Sequence, residues 1–140
     1  IMSGILFKDQ WNLPAGESFT ARLYKDANTD YLWKESKGQG SLVLNFESVL
    51  DRAREADFWI GSGIYTRRKD LIEANGHYAE FKAYNQNQIY TFSKRKGEGG
   101  GIIYFELGPL QPHVVLKDLI KVSHPDLLPE YEPFFLQPLD

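Results

Sequence analysis

Apolar and polar residues alternate in short runs through most of this chain, and glycine, proline and asparagine punctuate them. Ile5–Asn12 reads as a strand closed by the turn cluster Leu13 to Gly16. Phe19–Lys25 also alternates and leads through Asp26–Asp30 into Tyr31–Lys34, a pattern that predicts a hairpin. A turn at Lys37–Gly40 follows, then a third strand at Ser41–Phe46. Only after it does a helical period hold. Phe46, Val49, Leu50, Ala53 and Ala56 recur on one face, with Asn45 or Ser48 placed as a cap, and predict a helix near 46–57.

Beyond this helix the short runs return. Phe58–Tyr65 predicts a strand with a bulge at its glycines. Arg67–Ile72 fits a short helix or a strand, and Asn75-Gly76 is a turn. Tyr78–Tyr84, Ile89–Phe92 and Ile102–Leu107 predict three more strands, separated by Asn85–Gln88 and the glycine-rich Lys96–Gly101. Val114–Val122 fits either a strand or a short helix.

The two halves echo each other. Residues 31–47 and 90–106 share Tyr, Lys, two Gly, Phe and Glu at a constant offset, and Lys69–Ile72 repeats as Lys117–Ile120. Such self-similarity implies a repeated structural unit. The expected fold is therefore α+β and β-rich. Antiparallel meanders in an approximate duplication, 19–77 and 78–124, would form a curved sheet or barrel with one main helix. Residues 1–124 make a single domain on this reading. Residues 125–140 hold four of the seven prolines and predict an extended acidic arm packed on the body or on a partner.

Composition narrows the chemistry. The chain has 140 residues, enough for one real core, and no cysteine, so disulfide and thiolate sites are excluded. Ile1–Phe7 lacks the basic and apolar regions of a leader, and no apolar run approaches ~20 residues. These absences predict an intracellular protein, cytoplasmic or nuclear, without membrane contact. The net charge of −3 is concentrated in the acidic arm, while residues 61–100 carry a mild basic excess.

Two constellations suggest function. In the first, each echoed hairpin sets aromatics beside a basic glycine turn: Tyr31 and Trp33 with Lys37, and Tyr90 and Phe92 with Lys94, Arg95 and Lys96. Arg67 and Arg68 add to the positive patch. Aromatic faces stack on bases and flexible cations meet phosphates, so DNA or RNA, preferably single-stranded, is the expected partner, with no cofactor. The layout resembles PUR-type and Whirly-type single-strand binders. The competing reading is that these aromatics are core and cross-strand pairs.

In the second, Asp70 precedes a segment in which Glu80 and Lys82 would share one face of a strand. Over residues 47–105 this spacing resembles the PD-(D/E)XK nuclease core, as in Holliday-junction resolvases. The resemblance implies a Mg²⁺-dependent phosphodiester hydrolase in which Asp70 and Glu80 hold the metal, Lys82 activates water beside Glu80, and Glu47 supplies a further acid. A third class, a protein-interaction or inhibitor domain working through the 125–140 arm, fits the acidic tail. His77, His113 and His124 have no ligand spacing.

Overall fold

In the computed structural model, which describes residues 1–140, helices and strands interleave. The chain runs β1 (Met2–Ser3), β2 (Ile5–Phe7), β3 (Gln10–Pro14), α1 (Phe19–Asp26), β4 (Ser41–Leu44), α2 (Phe46–Ala53), β5 (Trp59–Ile60) and α3 (Arg68–Ala74). It continues through a 3-10 turn (Gly76–Glu80), α4 (Lys82–Asn85), β6 (Ile89–Thr91), α5 (Ile103–Leu107), α6 (Pro112–Ser123) and β7 (Gln137–Pro138). One sheet has the order β1-β5-β6-β7, the first three strands parallel and β7 antiparallel; the other, β2-β3-β4, is antiparallel. Parallel strands need crossovers of a dozen residues or more, and those crossovers contain most of the helices.

Local sequence explains the elements. β2 and β3 are joined by Lys8 and Asp9, both at positive φ (49° and 63°), as a two-residue hairpin turn requires. Along β3, Trp11 and Leu13 are buried while Gln10 and Asn12 are exposed. The Asn45 side chain caps α2 by accepting from the Ser48 amide at 2.8 Å, and Val49, Leu50 and Ala53 turn inward. Ser18 does the same for α1, accepting from the Ala21 amide at 3.1 Å.

The core is aromatic and ties the two sheets together. Trp11 and Trp59 lie 5.6 Å apart, and Trp59 meets Tyr78 at 5.5 Å and Phe81 at 5.4 Å. All four are essentially inaccessible, and burying such a side chain stabilises the fold by roughly 2–3 kcal/mol. Both indoles also donate to the corner between β1 and β2: Trp11 to the Ser3 carbonyl and Trp59 to the Gly4 carbonyl, each at 2.9 Å. Gly4 turns that corner at φ +92°, and a Cβ there would strike the Asn12 carbonyl oxygen. The core thus fixes where β1 ends.

Residues 125–140 lie against the body. Asp118 of α6, fully buried, accepts from the Tyr131 hydroxyl (2.6 Å) and from the amides of Phe134 (3.0 Å), Phe135 (2.6 Å) and Leu136 (3.1 Å). Phe135 and Leu136 enter the core, and β7 pairs with β6.

Several expectations are corrected. The chain is 39% helix and 16% strand, so it is α+β without being β-rich, and its two sheets do not close a barrel. Phe19–Lys25 is the helix α1, in which Ala21 and Tyr24, then Leu23 and Ala27, face inward at helical spacing. Tyr31–Lys34 is a succession of turns; Tyr31 is buried and its hydroxyl donates to the Pro14 carbonyl. Tyr78–Tyr84 is the 3-10 turn followed by α4, with Tyr78 and Phe81 facing the core three residues apart. Ile102–Leu107 is mostly α5, where Ile103, Tyr104 and Leu107 pack inward while Phe105 stays exposed. Over five to seven residues too few positions are sampled to separate a period of 2 from one of 3.6.

The duplication fails for the same reason. Tyr31 sits in a turn and Tyr90 in β6; Gly38 has φ +102° whereas Gly97 is outside the positive-φ region; Phe46 packs on the core whereas Phe105 is 70% exposed. The repeated letters supply similar turn chemistry in unlike surroundings.

Candidate functional site

Open sheets with parallel strands place ligands outside the strands' carboxyl ends. Here β1, β5 and β6 end together in residues that, Phe92 apart, are small or hydroxyl-bearing: Ser3-Gly4, Gly61-Ser62-Gly63 and Thr91-Phe92-Ser93. A Cβ added to Gly61 (φ +83°) would lie 3.6 Å from Ser3 Oγ and 3.9 Å from the Phe92 ring, so the three ends converge. Gly63 holds its neighbours through its carbonyl, which accepts from Ser93 Oγ at 2.6 Å and Thr91 Oγ1 at 3.4 Å.

Aromatic rings pack beside these strand ends. Phe92 stacks on Tyr104 of α5 with centroids 3.9 Å apart and planes 15° from parallel. Burial raises the Tyr104 phenol above its ordinary value, while its hydrogen bond with Thr20 of α1 pulls the other way. Tyr24 shares a hydrogen bond of 3.1 Å with Ser3, and burial pushes its phenol strongly up. These hydroxyls therefore stay neutral at physiological pH. The lining offers hydrogen bonds, ring faces and close backbone approach, and it offers neither a charged acid nor a nucleophile with an adjacent base.

A glycine-tipped finger follows β6. The Ile103 amide donates to the Arg95 carbonyl at 3.1 Å, Lys96 bridges to Ile102, and the Gly97 amide donates to Gly101 at 2.9 Å. The bases at its root are engaged with the arm. Lys94 pairs with Asp140 at 2.7 Å, and Arg95 lies 4.4 Å over the Phe134 ring while donating to the Phe134 carbonyl. A separate open cleft of about 710 Å³ lies between α1 and residues 29–39, with Arg22, Lys25 and Lys34 facing Glu17 and Glu35.

The structure scatters most residues that the sequence singled out. Asp70 is paired with Arg67 at 2.8 Å, whereas Glu80 lies 3.0 Å from His77 and 3.8 Å from Arg54. Lys82 opens α4 and donates to Asp57 at 2.8 Å, which holds its ammonium above the usual value and makes it a poor proton acceptor. Glu47 is exposed in the first turn of α2, and no three His, Asp or Glu side chains gather as a metal cage. Tyr31 and Trp33 are buried together at 5.9 Å, while Lys37 is exposed in its turn. Arg68 lies 4.4 Å over the Tyr84 ring. Tyr90, Phe92, Lys94, Arg95 and Lys96 do share one segment, and Phe92 alone of them meets the converging strand ends described above. Sequence reasoning missed Ser3, Gly61, Gly63, Ser93 and Tyr104. The available signal was Gly-Ser-Gly placed directly after the apolar pair Trp59-Ile60.

Comparisons with known proteins bear on the whole chain. No family model matches it. An uncharacterized lipoprotein of Methanocaldococcus jannaschii is 28% identical over 123 residues, covering 86% of this chain and 28% of that relative. The crystal structure of the TroA-like periplasmic binding protein FepB from Veillonella parvula superposes with a TM-score of 0.61 at 15% identity, covering 92% of this chain and 44% of that one. The chain thus spans less than half the length of either match. These findings correct four expectations. The resemblances to the PD-(D/E)XK core and to PUR- and Whirly-type binders are overturned by a fold like that of a periplasmic binding protein, and the Glu80–Lys82 strand they needed is a turn and a helix. Nucleic-acid binding and nuclease action fall with them, and so do DNA and RNA as partners. The intracellular placement is corrected by matches that are, respectively, a lipoprotein and a periplasmic protein. No helix is long and apolar enough to cross a membrane. At this level of identity the structural likeness is one of fold.

Proposed function

We propose that this chain is one lobe of an extracytoplasmic protein that captures a small molecule, and that the carboxyl ends of β1, β5 and β6 form one wall of the binding cleft. The observation that carries the reading is the convergence of three parallel strand ends in Ser3, Gly61 and Phe92, the last stacked on Tyr104. Small residues there let a ligand approach the backbone, and stacked rings give it a flat apolar contact. Periplasmic binding proteins close two domains around their ligands, and a chain covering 44% of one such protein is of the size of a single lobe. The lipoprotein relative supports a location outside the cytoplasm.

The test is capture. The protein is purified as its own host makes it, then denatured, and the released small molecules are read by mass spectrometry. The expected result is a stoichiometric compound that is lost from the Phe92→Ala variant, shown by circular dichroism to be folded, because that change removes the ring stacked on Tyr104. A protein that carries none, even after exposure to concentrated host culture medium, overturns the reading.

A further inference from the structure

The cleft between α1 and residues 29–39 has two walls that the fold holds in place. Its volume of about 710 Å³ is that of a small-molecule site. Four hydrogen bonds fasten the outer wall. The Ala15 amide donates to the Gly40 carbonyl (2.9 Å), the Glu17 amide to the Gly38 carbonyl (3.1 Å), the Gly38 amide to Glu17 Oε2 (2.8 Å) and the Gly16 amide to Ser36 Oγ (2.8 Å). A Cβ on Gly16 would lie 2.4 Å from the carbonyl oxygens of Lys34 and Ser36, so this wall rests directly on the backbone that enters α1. The other wall is α1 itself, anchored in the core by Ala21, Leu23 and Tyr24. Tyr31, packed on the Tyr24 ring at 5.1 Å, contributes to the lining.

The charges around the cleft are unequally satisfied. Lys34 pairs with Asp30 at 2.7 Å, and Glu17 accepts from Gly38 through one carboxylate oxygen. The Tyr31 hydroxyl is taken by the Pro14 carbonyl. Arg22 and Lys25, one turn apart on the exposed side of α1, have no carboxylate partner; Arg22 makes only a 3.5 Å contact with the Glu17 carbonyl. Glu35 in the opposite wall has no cation partner, so no ion pair spans the cleft. Like charges at the Arg22–Lys25 spacing repel each other, and a concave protein wall focuses their field into the space between. Two positive charges on one side and one negative charge on the other are left unanswered.

We infer that this cleft binds a small zwitterion with one ammonium and two acidic groups, the charge pattern of an acidic amino acid. The acidic groups meet Arg22 and Lys25, and the ammonium meets Glu35. A dicarboxylate without the ammonium would set negative charge against Glu35, and a neutral amino acid would leave one cation unpaired. Ser3, Gly61 and Phe92 do not line this cleft, so the inference stands apart from the strand-end wall.

The test is calorimetric titration of the dialysed protein with L-glutamate, L-aspartate, glutarate and L-glutamine. Saturable binding of glutamate or aspartate is expected, with a Kd below ~1 mM. Glutarate lacks the ammonium and glutamine the second acid, so each should bind more weakly by about tenfold or more. Arg22→Gln, Lys25→Gln and Glu35→Gln should each weaken binding of the acidic amino acid with unchanged circular dichroism, because all three side chains are exposed. Lys69→Gln removes an exposed charge of α3 outside the cleft and should leave binding unchanged. The inference is overturned if neither acidic amino acid binds saturably, if binding survives all three cleft variants, or if it falls equally in Lys69→Gln. Glutarate binding as tightly as glutamate would overturn the Glu35 contact, and glutamine doing so would overturn the second acidic group. Loss of a host-derived compound in Phe92→Ala tests the strand-end wall alone, so the two readings fail separately.

Discussion

The tetrapeptide Lys-Asp-Leu-Ile occurs twice, and its two aspartates have opposite surroundings. Asp70, near the start of α3, is partly exposed and pairs with Arg67 one turn away. Asp118, in the middle of α6, is fully buried and has no cation beside it; its partners are a phenol and three backbone amides of the arm. An exposed ion pair trades one hydrated state for another and contributes little. A buried carboxylate must be satisfied completely, and here a segment poor in regular structure supplies every donor. The difference lies in what the rest of the chain brings to each block, which the four letters do not encode.

The comparison is tested hardest by Asp118→Ala. Three amides and the Tyr131 hydroxyl would lose their acceptor in a dry setting, and each hydrogen bond to a charged group is worth ~1.5–3 kcal/mol before losses overlap. We expect at least ~3 kcal/mol of destabilisation in urea unfolding. Hydrogen exchange should quicken first at Phe134, Phe135 and Leu136. A loss below ~1 kcal/mol would mean that the arm finds other acceptors, and that the two aspartates differ less than their geometry suggests.

Tyr131→Phe removes one of the four bonds and leaves the ring in place, so a loss of ~1–2 kcal/mol is expected. The same residue gives the comparison a pH signature. Its phenol is raised above the ordinary value first by desolvation, then by its bond to Asp118 and the charge of that carboxylate. A group held protonated in the fold stabilises it fully below the unfolded value near ~10, and that contribution is lost as pH rises through the folded value. Tyr78, pushed up by burial to about 12, acts in the same direction from the core. Stability should therefore fall above about pH 10, with exchange at Phe134–Leu136 accelerating there. Tyr131→Phe should remove that local alkaline step while the global decline from Tyr78 persists.

Legibility in the sequence followed the length of each signal. The α2 face repeats through Phe46, Val49, Leu50 and Ala53, and Asn45 caps it as the pattern indicates. Ser41–Leu44 and Ile89–Thr91 are strands, close to where alternation put them. Phe19–Asp26 misleads because Phe19, Ala21 and Leu23 alternate, although Ser18 offers a cap; capping chemistry outranked a weak period. The meeting of strand ends was harder to see. Its residues come from positions 3, 61–63, 91–93 and 104, and only the parallel pairing of β1, β5 and β6 brings them together. Nothing local to Ser3 announces that Gly61 will lie against it. The charged constellations that the sequence did display, Asp70 and Glu80 with Lys82, dissolve into separate pairs with Arg67, His77 and Asp57.

The smallest effect is the other arm of the comparison. Arg67 Nε and Nη2 meet the two Asp70 carboxylate oxygens at 2.8 and 2.9 Å, a bidentate geometry that could raise a surface pair above the usual range. Yet the Arg67 side chain is 59% exposed and that of Asp70 36% exposed, and water and salt screen such pairs. A double-mutant cycle with Arg67→Ala and Asp70→Ala should give a coupling far smaller than the loss in Asp118→Ala, shrinking further in 1 M salt. Asp70 also lies in the first turn of α3, where a negative charge favours the helix. Asp70→Asn should therefore lose slightly more than the coupling alone. A coupling as large as the loss in Asp118→Ala, or one insensitive to salt, would place Asp70 in the same energetic class as Asp118 and remove the contrast between the two blocks.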